Sequence, residues 1–479
     1  MVAGGGPEQL VVLANRLPVE RVAVGDGGSG WRTTTGGLVT LLEPVVRDTR
    51  AIWVGYAGTS QPSTLDHDGL RMFVVGLPEA DFPGYYEGYA NSTIWPLYHD
   101  CVSPPAFRRD WWESYVRVNE HFADTAAAQA AGGGTVWVND YHLQLVPALL
   151  RGRRPDLRVG FFLHVPVPEA EVFRRLPQRE QILRGICGAD LVGVQCASSA
   201  QAFLRLARRV QGADVDDGGI VVDGRRVRVA HFPASVEVAR IQALASRLDV
   251  RDRAAEIREA LGRPDSVILA VERLDYTKGV VQRLEAYRWL LAQGRVRSPR
   301  TVMIQVLPPS RQAIRGYRVL RRYVGAYVNA INTEFGAGAV RYWDRAFSLE
   351  ELVALYLAAD VMAVTPLRDG MNLVAKEYVA ARVDEDGALV LSEFAGAAEQ
   401  LDQAYLVNPF DIETLGTALW RAIRADPWER SARMRAMRTT VCGYSVQRWG
   451  RDFLSALAAT PAPVAPAPED APSSSLARR

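Results

Sequence analysis

Two lysines stand out among the basic residues of this sequence. The chain has 56 lysines and arginines, and only Lys278 and Lys376 are lysine. Lys278 and Arg273 directly follow residues 267–271, an apolar run typical of a buried strand. Lysine offers a compact ammonium and arginine a planar fork, so the two are not equivalent at a phosphate. Because ligands of open α/β sheets bind at the carboxyl ends of strands, Arg273 and Lys278 are predicted to bind a diphosphate, with two ordinary surface cations as the alternative.

A glycine loop that leads into a helix is a second candidate for phosphate chemistry. The apolar run 361–364 ends in a turn at Gly370, and a helical pattern starts at Met371. Backbone N–H groups at a helix start are unpaired, and the helix dipole favours an anion beside them. Glu377 lies further along this helix, within reach of a sugar hydroxyl, and Asp369 precedes the glycine. The alternative is an ordinary strand–turn–helix corner of an α/β sheet.

Two further glycine segments lie near the N-terminus. Gly36 and Gly37 open a helical pattern and are another candidate phosphate approach. The run 25–30 matches the dinucleotide-binding fingerprint, but residues 31–35 after it do not have a helical pattern. The run is therefore predicted to be the tip of a hairpin, and no nicotinamide cofactor is expected.

Polar side chains also follow two apolar strand patterns in the first half of the chain. Asp140 comes after residues 136–138, and His164 comes after residues 159–163. A single histidine is more often an ordinary core or loop residue than a catalytic one. Two such strand ends beside one cleft favour the functional interpretation.

The segment 85–96 is rich in tyrosine and tryptophan and also in glycine, asparagine and proline. Aromatic faces pack on the C–H faces of sugars while their polar edges donate hydrogen bonds. Tyr86 and Trp95 are therefore candidates for a sugar-binding surface. The alternative is a surface loop that aromatic packing holds in place.

Composition narrows the class of protein. The 479-residue chain is 48% hydrophobic and 23% charged, which is typical of a globular enzyme. Its net charge of +2 offers no broad basic field, and no apolar run reaches the roughly 18 residues that span a bilayer, so neither nucleic acid nor a membrane is an expected partner. With no visible secretion signal and four scattered cysteines, the protein is predicted to be cytoplasmic, with buried thiols and no metal site.

Repeated strand–helix units predict an α/β fold with two Rossmann-like domains. The first domain is predicted to cover residues 1–235 and the second residues 236–459. The tail 460–479 is dense in proline, alanine and serine and is predicted to be disordered.

The segments 273–279 and 368–377 resemble the trehalose-6-phosphate synthase family of retaining glycosyltransferases. The resemblance extends over nearly the whole chain, from Asn15 to about Pro409. It implies the GT-B arrangement, in which two Rossmann-like domains face a deep cleft, with the helix around 449–457 folding back on the first domain. It also implies transfer of glucose from a nucleotide-diphosphate glucose to glucose 6-phosphate. The implied product is α,α-trehalose 6-phosphate, formed with retention by same-face attack and without a cofactor.

The resemblance implies the residues of each site. Acceptor binding is expected from Arg16, Tyr86, Trp95, Asp140 and Arg311. Donor binding is expected from Gly36, Gly37, Arg273, Lys278, Gly370, Met371, Asn372, Leu373 and Glu377. The groups expected to act at the reacting centre are Asp140, His164, Arg273, Lys278 and Asp369.

Two departures from the family pattern and several alternatives accompany this interpretation. Tyr56 stands where the family often has tryptophan, in the acceptor pocket, and Ser235 stands where it usually has glycine, at the predicted hinge.

The expected substrates are UDP-glucose or GDP-glucose and glucose 6-phosphate, with ADP also open as the nucleotide and a homo-oligomer open as the assembly. The alternative functions are a glucosylglycerol-phosphate synthase, a pseudo-glycosyltransferase with another acceptor, and a non-catalytic sugar-phosphate sensor.

Overall fold

The computed structural model of the protein describes residues 8–24, 28–33, 36–216, 218–222 and 224–461. Its strands are β1 (Glu8–Arg16), β2 (Val19–Val24), β3 (Gly28–Thr33), β4 (Ile52–Tyr56), β5 (Ser63–His67), β6 (Leu70–Val74), β7 (Ala130–Asn139), β8 (Arg158–Leu163), β9 (Leu191–Val194), β10 (Asp214–Asp216), β11 (Gly219–Val222), β12 (Arg225–His231), β13 (Ser266–Val271), β14 (Thr301–Val306), β15 (Val340–Trp343), β16 (Val361–Val364), β17 (Ala388–Ser392) and β18 (Tyr405–Val407).

Its α-helices are α1 (Gly37–Thr49), α2 (Trp95–Tyr98), α3 (Arg109–Gln129), α4 (Val146–Arg153), α5 (Ala170–Phe173), α6 (Arg179–Ile186), α7 (Ala197–Gln211), α8 (Val238–Ser246), α9 (Leu248–Ala260), α10 (Val280–Ala292), α11 (Arg315–Phe335), α12 (Leu349–Ala358), α13 (Leu373–Ala381), α14 (Ile412–Arg424), α15 (Pro427–Cys442) and α16 (Val446–Ala458). A π-helix spans Pro83–Ile94, and short 3-10 turns lie at Tyr141–Leu143, Tyr276–Lys278 and Gly396–Glu399. None of the helices in the described ranges is both long and apolar enough to cross a membrane.

Ten strands form the first sheet, in the order β10-β11-β12-β9-β8-β7-β1-β4-β6-β5. The strands from β12 to β6 run parallel, and antiparallel pairs close both edges. The parallel strands extend from β1 in both directions along the sheet, so the strand order reverses between β1 and β7. In open sheets of this kind, ligands bind outside the carboxyl ends of the strands at the reversal.

Six parallel strands form the second sheet, in the order β15-β14-β13-β16-β17-β18. This is the order of a dinucleotide-binding fold, and it reverses between β13 and β16. Every residue of β13 and β14 is buried, because helices cover both faces of the sheet. Strands of this type have continuous apolar sequences instead of alternating ones. The predicted α/β fold with two Rossmann-like sheets is confirmed.

The last helix, α16, packs against the first sheet although it follows the second in sequence. The indole nitrogen of Trp449 donates a hydrogen bond to the carbonyl oxygen of Phe232 across 3.1 Å. The rings of Phe453 and Trp137 stack with their centroids 4.5 Å apart. Gly193 on β9 leaves room for this packing, since a Cβ there would lie 2.7 Å from the Phe453 ring. Helix α16 is thus anchored to the first domain.

The aromatic segment near residue 90 is a π-helix, so the alternative of a surface loop is wrong. Its side chains bond backward to backbone carbonyls five residues earlier, from Asn91 Nδ2 to Tyr86 across 2.8 Å and from Ser92 Oγ to Glu87 across 2.6 Å. Gly88 allows the wide helix to lie directly on Trp111, because a Cβ there would collide with the indole ring. π-Helical turns are rare and occur frequently at functional sites.

The glycine-rich run near the N-terminus belongs to a hairpin, as predicted. Strands β2 and β3 pair antiparallel, with Val19 opposite Thr33. Residues 25–27, at the predicted tip, lie outside the described residues. The predicted tail also lies outside them beyond Pro461.

Candidate active site

The two strand-order reversals supply the residues of the candidate site. In the first sheet, β1 ends at Arg16 and β7 leads directly into Asp140. In the second sheet, β13 leads into Arg273 and Lys278, and β16 leads into the loop with Gly370. Each sheet therefore delivers its predicted site residues at the position where open α/β sheets bind ligands.

Side chains of the two domains meet at this cleft. The indole nitrogen of Trp95 donates to Asp275 Oδ1 across 3.4 Å. A guanidinium nitrogen of Arg311 donates to the hydroxyl of Tyr141 across 3.1 Å. Both pairs join a residue near the first reversal to one near the second. The predicted acceptor and donor residues are thus parts of one site.

An ion pair lies at the centre of the donor half. Lys278 Nζ is 2.5 Å from Asp369 Oδ2, and Asn372 Nδ2 donates to the same oxygen across 3.1 Å. Burial raises the pKa of Asp369, but the charge and hydrogen bond of Lys278, together with smaller contributions that include the hydrogen bond from Asn372, leave the pKa below its ordinary value. Gly279, with a φ of 66°, lets the Lys278 loop pass directly against Thr365 at the end of the neighbouring strand. The cation and the carboxylate are held together before any ligand binds.

The start of α13 presents unpaired backbone donors. Asn372, with a φ of 75°, precedes the helix and accepts from the N–H of Ala375 across 3.4 Å. Within the described chain, the N–H groups from Gly370 to Leu373 have no hydrogen-bond acceptor. Free N–H groups at the positive end of a helix dipole form a ready anion site. This geometry agrees with the prediction that the loop binds a diphosphate.

Two more predicted donor positions have geometry suited to a ligand. Tyr356 donates its hydroxyl hydrogen to Glu377 Oε2 across 2.7 Å, and burial raises the pKa of Glu377. The other carboxylate oxygen of Glu377 has no partner in the described chain. Gly36 and Gly37 begin α1, and a Cβ at either would meet no atom within 4 Å. Among the described residues, none fills the space beside this helix start.

A stack of rings lines the acceptor half and carries Arg16. The centroid of Phe82 lies 5.0 Å from that of Tyr56 and 5.1 Å from that of Tyr86, and the next ring, His142, lies 5.8 Å from Tyr86. The guanidinium carbon of Arg16 lies 4.9 Å from the centroid of Tyr86. Cation–π contact of this kind positions a guanidinium without neutralising it. Tyr56, the departure from the family pattern, is part of this stack.

Arg311, predicted to bind the acceptor, lies at the junction of the two domains and is already paired; its role in acceptor binding stays a prediction. Its side chain is only 4% exposed, and Nη1 is 2.8 Å from Asp275 Oδ2 and 2.6 Å from the hydroxyl of Tyr317. Its guanidinium carbon lies 3.9 Å from the ring centroid of Trp95. The buried carboxylate compensates for the charge of Arg311. The sequence could not show this pairing because Asp275 and Arg311 follow different strands.

Arg16 and Arg273 are the cations of the cleft that remain uncompensated. Both are exposed, and neither forms an ion pair or hydrogen bond within the described chain. Lys278 and Arg311, by contrast, are paired with Asp369 and Asp275. A cleft with two such guanidinium groups, one on each domain, is suited to anionic ligands.

Asp140 is the carboxylate of the first domain that faces the cleft. It has a φ of 74°, in the left-handed region that a non-glycine residue adopts only under constraint. The backbone N–H of His164 donates to Asp140 Oδ1 across 3.2 Å. Burial nevertheless raises the pKa of Asp140 to about 6. Its charge therefore changes just below neutral pH.

His164 directly follows β8, and the prediction that it acts at the reacting centre stays a prediction. Its Nε2 bonds Asn139 Oδ1 across 3.0 Å, and its Nδ1 bonds Gln195 Nε2 across 3.3 Å, so both ring nitrogens are occupied. Burial lowers the pKa of His164 to about 3. Burial likewise lowers the pKa of His99 to about 4 and that of His142 well below its ordinary value. None of these three histidines is charged near neutral pH.

Four residues of the site were not assigned from the sequence. Asp275 lies between Arg273 and Lys278, and a carboxylate between two such cations is a signal that could have revealed it. Tyr141 could also have been found from the sequence, because it directly follows the predicted site residue Asp140. Tyr356 comes from α12, and no nearby sequence feature points to it. Lys376 is buried at the domain junction, where its Nζ lies 2.5 Å from the carbonyl oxygen of Ala234. Lys376, one of the two lysines, therefore has a structural role.

The described residues were also compared with the ligand sets that hold metal ions. No group of three or more His, Cys, Asp or Glu side chains in the described ranges is arranged to hold a metal ion. The expectation that the protein works without a cofactor remains a prediction.

Two Rossmann-like sheets that meet at their strand-order reversals, with cationic groups on both sides of the cleft, are the arrangement of the GT-B glycosyltransferases. The chain belongs to glycosyltransferase family 20, whose sequence profile matches residues 8–459. The family that the motifs resemble, the GT-B fold and the glycosyltransferase class are thereby confirmed.

Relatives and solved structures agree on the kind of enzyme. The trehalose-6-phosphate synthase of Mycobacterium sp. (strain JLS) is 48% identical over 471 residues, covering 95% of this chain and 98% of that protein. That of Mycobacterium leprae (strain TN) is 47% identical over 477 residues, covering 95% and 96%. An alpha,alpha-trehalose-phosphate synthase (UDP-forming) from Burkholderia xenovorans, solved with glucose-6-phosphate, has a TM-score of 0.87 at 32% identity, covering 94% of this chain and 100% of that one. An E. coli structure with bound UDP-2-fluoro glucose has a TM-score of 0.86 at 30% identity, covering 94% and 98%.

Proposed function

We propose that this enzyme transfers glucose from UDP-glucose to glucose 6-phosphate and forms α,α-trehalose 6-phosphate with retention. The observation that carries the proposal is the presence of two separate clusters of cationic and N–H donors across one cleft. Arg16 and its ring stack lie on the first domain, and Arg273, Lys278 and the free N–H groups of residues 370–373 lie on the second. Two phosphate-bearing substrates need two such sites, one for each.

The donor half is suited to stabilise the leaving group. As the anomeric bond breaks, negative charge grows on the diphosphate and positive charge grows on the sugar. Lys278, Arg273 and the N–H groups at the start of α13 supply fixed donors to that negative charge, which lowers the barrier electrostatically. The free oxygen of Glu377 is suited to a hydroxyl of the nucleotide ribose. The similarity to proteins described as UDP-forming or solved with UDP-2-fluoro glucose supports uridine as the base.

Retention follows in this proposal from attack on the face that the diphosphate leaves. The bond from the anomeric carbon to the diphosphate oxygen breaks, and a bond to the acceptor hydroxyl oxygen forms on the same side. The hydroxyl proton passes to the departing diphosphate oxygen. Asp369 is held by Lys278 and Asn372, so it is suited to bind a donor-sugar hydroxyl and not to attack as a nucleophile. Asp140 accepts a hydrogen bond from the acceptor sugar.

A donor and acceptor panel tests the proposal. The purified protein is mixed with UDP-, GDP- or ADP-glucose, with and without glucose 6-phosphate, and nucleotide release is measured. We expect UDP release that requires glucose 6-phosphate. Release with glycerol 3-phosphate or a cyclitol phosphate in its place would indicate the related transferases, and no release with any pair would indicate a sugar-phosphate sensor. The cytoplasmic location and the oligomeric state remain predictions.

Arg16→Ala separates the two substrate sites. We expect the KM for glucose 6-phosphate to rise about 10- to 100-fold, because one charge-assisted contact to a phosphate is lost. The KM for UDP-glucose should change less than about twofold, since Arg16 lies on the opposite domain from Arg273, Lys278 and the N–H groups of residues 370–373, which are proposed to bind the diphosphate. Arg109→Ala, at a surface arginine on α3, is the matched control and should change neither constant. A larger effect on the donor would mean that the two halves are assigned the wrong way round.

The pH dependence of kcat/KM for the acceptor reports on Asp140. The ionised carboxylate is a stronger hydrogen-bond acceptor than the protonated group, so activity should fall as the pH drops through the Asp140 pKa of about 6. The phosphate of the acceptor also gains a proton at about pH 6, so the logarithmic profile of the wild type should approach a slope of two. In Asp140→Asn the slope should approach one. Equal slopes in both proteins would contradict this role for Asp140.

A further inference from the structure

A chain of hydrogen bonds runs through the ring of His164 and ends in the backbone on both sides. Gln195 directly follows β9 and is buried. Its Oε1 accepts from the backbone N–H of Ala234 across 2.9 Å, and its Nε2 lies 3.3 Å from Nδ1 of His164. On the other side of the ring, Nε2 of His164 lies 3.0 Å from Oδ1 of Asn139, whose Nδ2 donates to the carbonyl oxygen of Leu13 across 3.1 Å. The ring is thus held between two side-chain amides.

The backbone groups at the two ends fix the direction of every bond between them. A backbone N–H can only donate, so the atom of Gln195 that faces Ala234 must be the amide oxygen, and the NH2 group must face His164. A backbone carbonyl can only accept, so Asn139 turns its NH2 group to Leu13 and its oxygen to His164. His164 therefore accepts at Nδ1 and donates at Nε2, which is the neutral imidazole with its proton on Nε2.

The surroundings of the ring do not favour a second proton. A proton on Nδ1 of His164 would point at the NH2 group of Gln195, donor against donor. The ring centroids of Phe162 and Trp449 lie 4.6 Å and 6.0 Å from that of His164, so apolar faces pack around the imidazole. Burial lowers the pKa of His164 to about 3. Hydrogen bonding and burial thus both keep the ring neutral.

The loop that carries His164 lies between the two halves of the cleft. Its backbone N–H donates to Asp140 Oδ1 across 3.2 Å, and a Cβ at Gly370 would lie 2.0 Å from its carbonyl oxygen. Asp140 bonds the backbone and not the ring. Cys196, which follows Gln195 in the chain, is held neutral because burial raises the pKa of its thiol to about 12. Within the described chain no carboxylate bonds the ring, so a proton on Nδ1 would be an unpaired positive charge.

We propose that Gln195 is a positioning residue that holds His164 as the neutral tautomer protonated on Nε2, so that the ring adds no positive charge beside the donor sugar. This role rests on the proposed function, in which positive charge grows on the anomeric carbon as the diphosphate leaves. A cation beside that carbon would oppose the reaction, and a neutral ring would not. Gln195 also ties the ring to Ala234, whose carbonyl oxygen accepts from Lys376 of the second domain. The ring is therefore held relative to both domains.

Gln195→Glu tests this role because it keeps the size of the side chain and reverses its bond to the ring. The introduced carboxylate can still accept from the N–H of Ala234, but it cannot donate to Nδ1 of His164, so it favours a proton there. The histidines are labelled with nitrogen-15, and a His164→Asn variant identifies the signals of this ring among the six histidines. We expect Nδ1 of His164 to be unprotonated in the wild type at neutral pH, and both ring nitrogens to be protonated in Gln195→Glu. A proton on Nδ1 in the wild type, or unchanged signals in the variant, would overturn the proposal.

The pH profile of kcat separates charge from structure. In Gln195→Glu, kcat at neutral pH should be at least about tenfold below the wild type and should recover as the pH rises, because the extra proton leaves the ring. Gln195→Met is the matched control. It removes both hydrogen bonds at similar volume and adds no charge, so the ratio of its kcat to that of the wild type should not change with pH. Equal losses in both variants at every pH would indicate a merely structural role and would overturn the proposal.

The nitrogen signals do not depend on which reaction the enzyme performs. If the ring of His164 gains its second proton in Gln195→Glu as expected but the wild type forms no disaccharide with glucose 6-phosphate, the proposed function fails and the hold of Gln195 on the tautomer stands. If the disaccharide forms but the signals of the two proteins are the same, the role of Gln195 fails and the function stands.

Discussion

Replacing Lys278 by alanine is expected to lower kcat by about two to three powers of ten, the typical effect of losing one donor to developing charge. Lys278 leaves the central strand of the second sheet and is bonded to Asp369 at 2.5 Å, beside the free N–H groups of α13. The measurement is steady-state kinetics of UDP release at saturating substrates. A kcat within a few fold of the wild type would remove Lys278 from the catalytic groups.

The ion pair adds an effect that the sequence did not indicate. Alanine at position 278 leaves the buried Asp369 carboxylate without its cation, and breaking a buried pair is destabilising. The melting temperature of Lys278→Ala should therefore fall as well. Lys278→Gln is the matched control for this effect. It keeps a hydrogen-bond donor to Asp369 and loses the charge, so it should melt closer to the wild type and show a comparable loss of kcat.

Gly370→Ala should lower kcat/KM for UDP-glucose by at least about 100-fold, a larger loss than a missing single contact gives. A Cβ at Gly370 would collide with the carbonyl group of His164, which belongs to the opposite domain, and neither backbone can move aside alone. The methyl group should therefore hold the domains apart and misplace the helix start that binds the diphosphate. The affinity for UDP, measured by calorimetry, should fall together with the activity.

Gly325→Ala is the matched control for this substitution. Gly325 lies in α11, and a Cβ there would meet no atom within 4 Å. Its activity should equal that of the wild type, with a similar or slightly higher stability because alanine favours helix. Wild-type activity in Gly370→Ala would show that the close approach between Gly370 and His164 is not part of the working enzyme.

The strand ends could be predicted because their signal is local. Buried parallel strands have continuous apolar runs, and the residue that follows such a run must emerge at the carboxyl edge of a sheet. Arg273, Lys278, Gly370 and Asp140 all follow runs of this kind, and the structure places all four at the strand-order reversals.

Other features depend on packing between distant segments and have no local signal. The π-helix has no distinctive apolar period, and its glycine and asparagine content suggested a loop. The pairing of Arg311 with Asp275 and the two partners of His164 are tertiary contacts between separate strands or loops. For these residues the sequence indicated a place near the site, and only the fold showed which atoms were already occupied.

Lys376 is a rare lysine in this chain, as Lys278 is, but its position in the structure indicates a structural role and not phosphate binding. Both lysines are unusual in an arginine-rich chain, but only Lys278 lies at a strand end of the cleft. Lys376 is buried in α13, where Gln400 and the backbone carbonyl of Ala234 accept from its ammonium group. Burial lowers the pKa of Lys376 to about 7. A compact ammonium fits this junction between the domains, where a planar guanidinium has different geometry.

The identity of the product tests the central proposal most directly. The purified enzyme is incubated with UDP-glucose and glucose 6-phosphate, and the disaccharide phosphate is examined by proton NMR. We expect a single product in which both anomeric centres are joined through one oxygen and both have the α configuration, formed in equal amount with UDP. A β-configured product, a linkage through a hydroxyl other than the anomeric one, or UDP release without any disaccharide would contradict it.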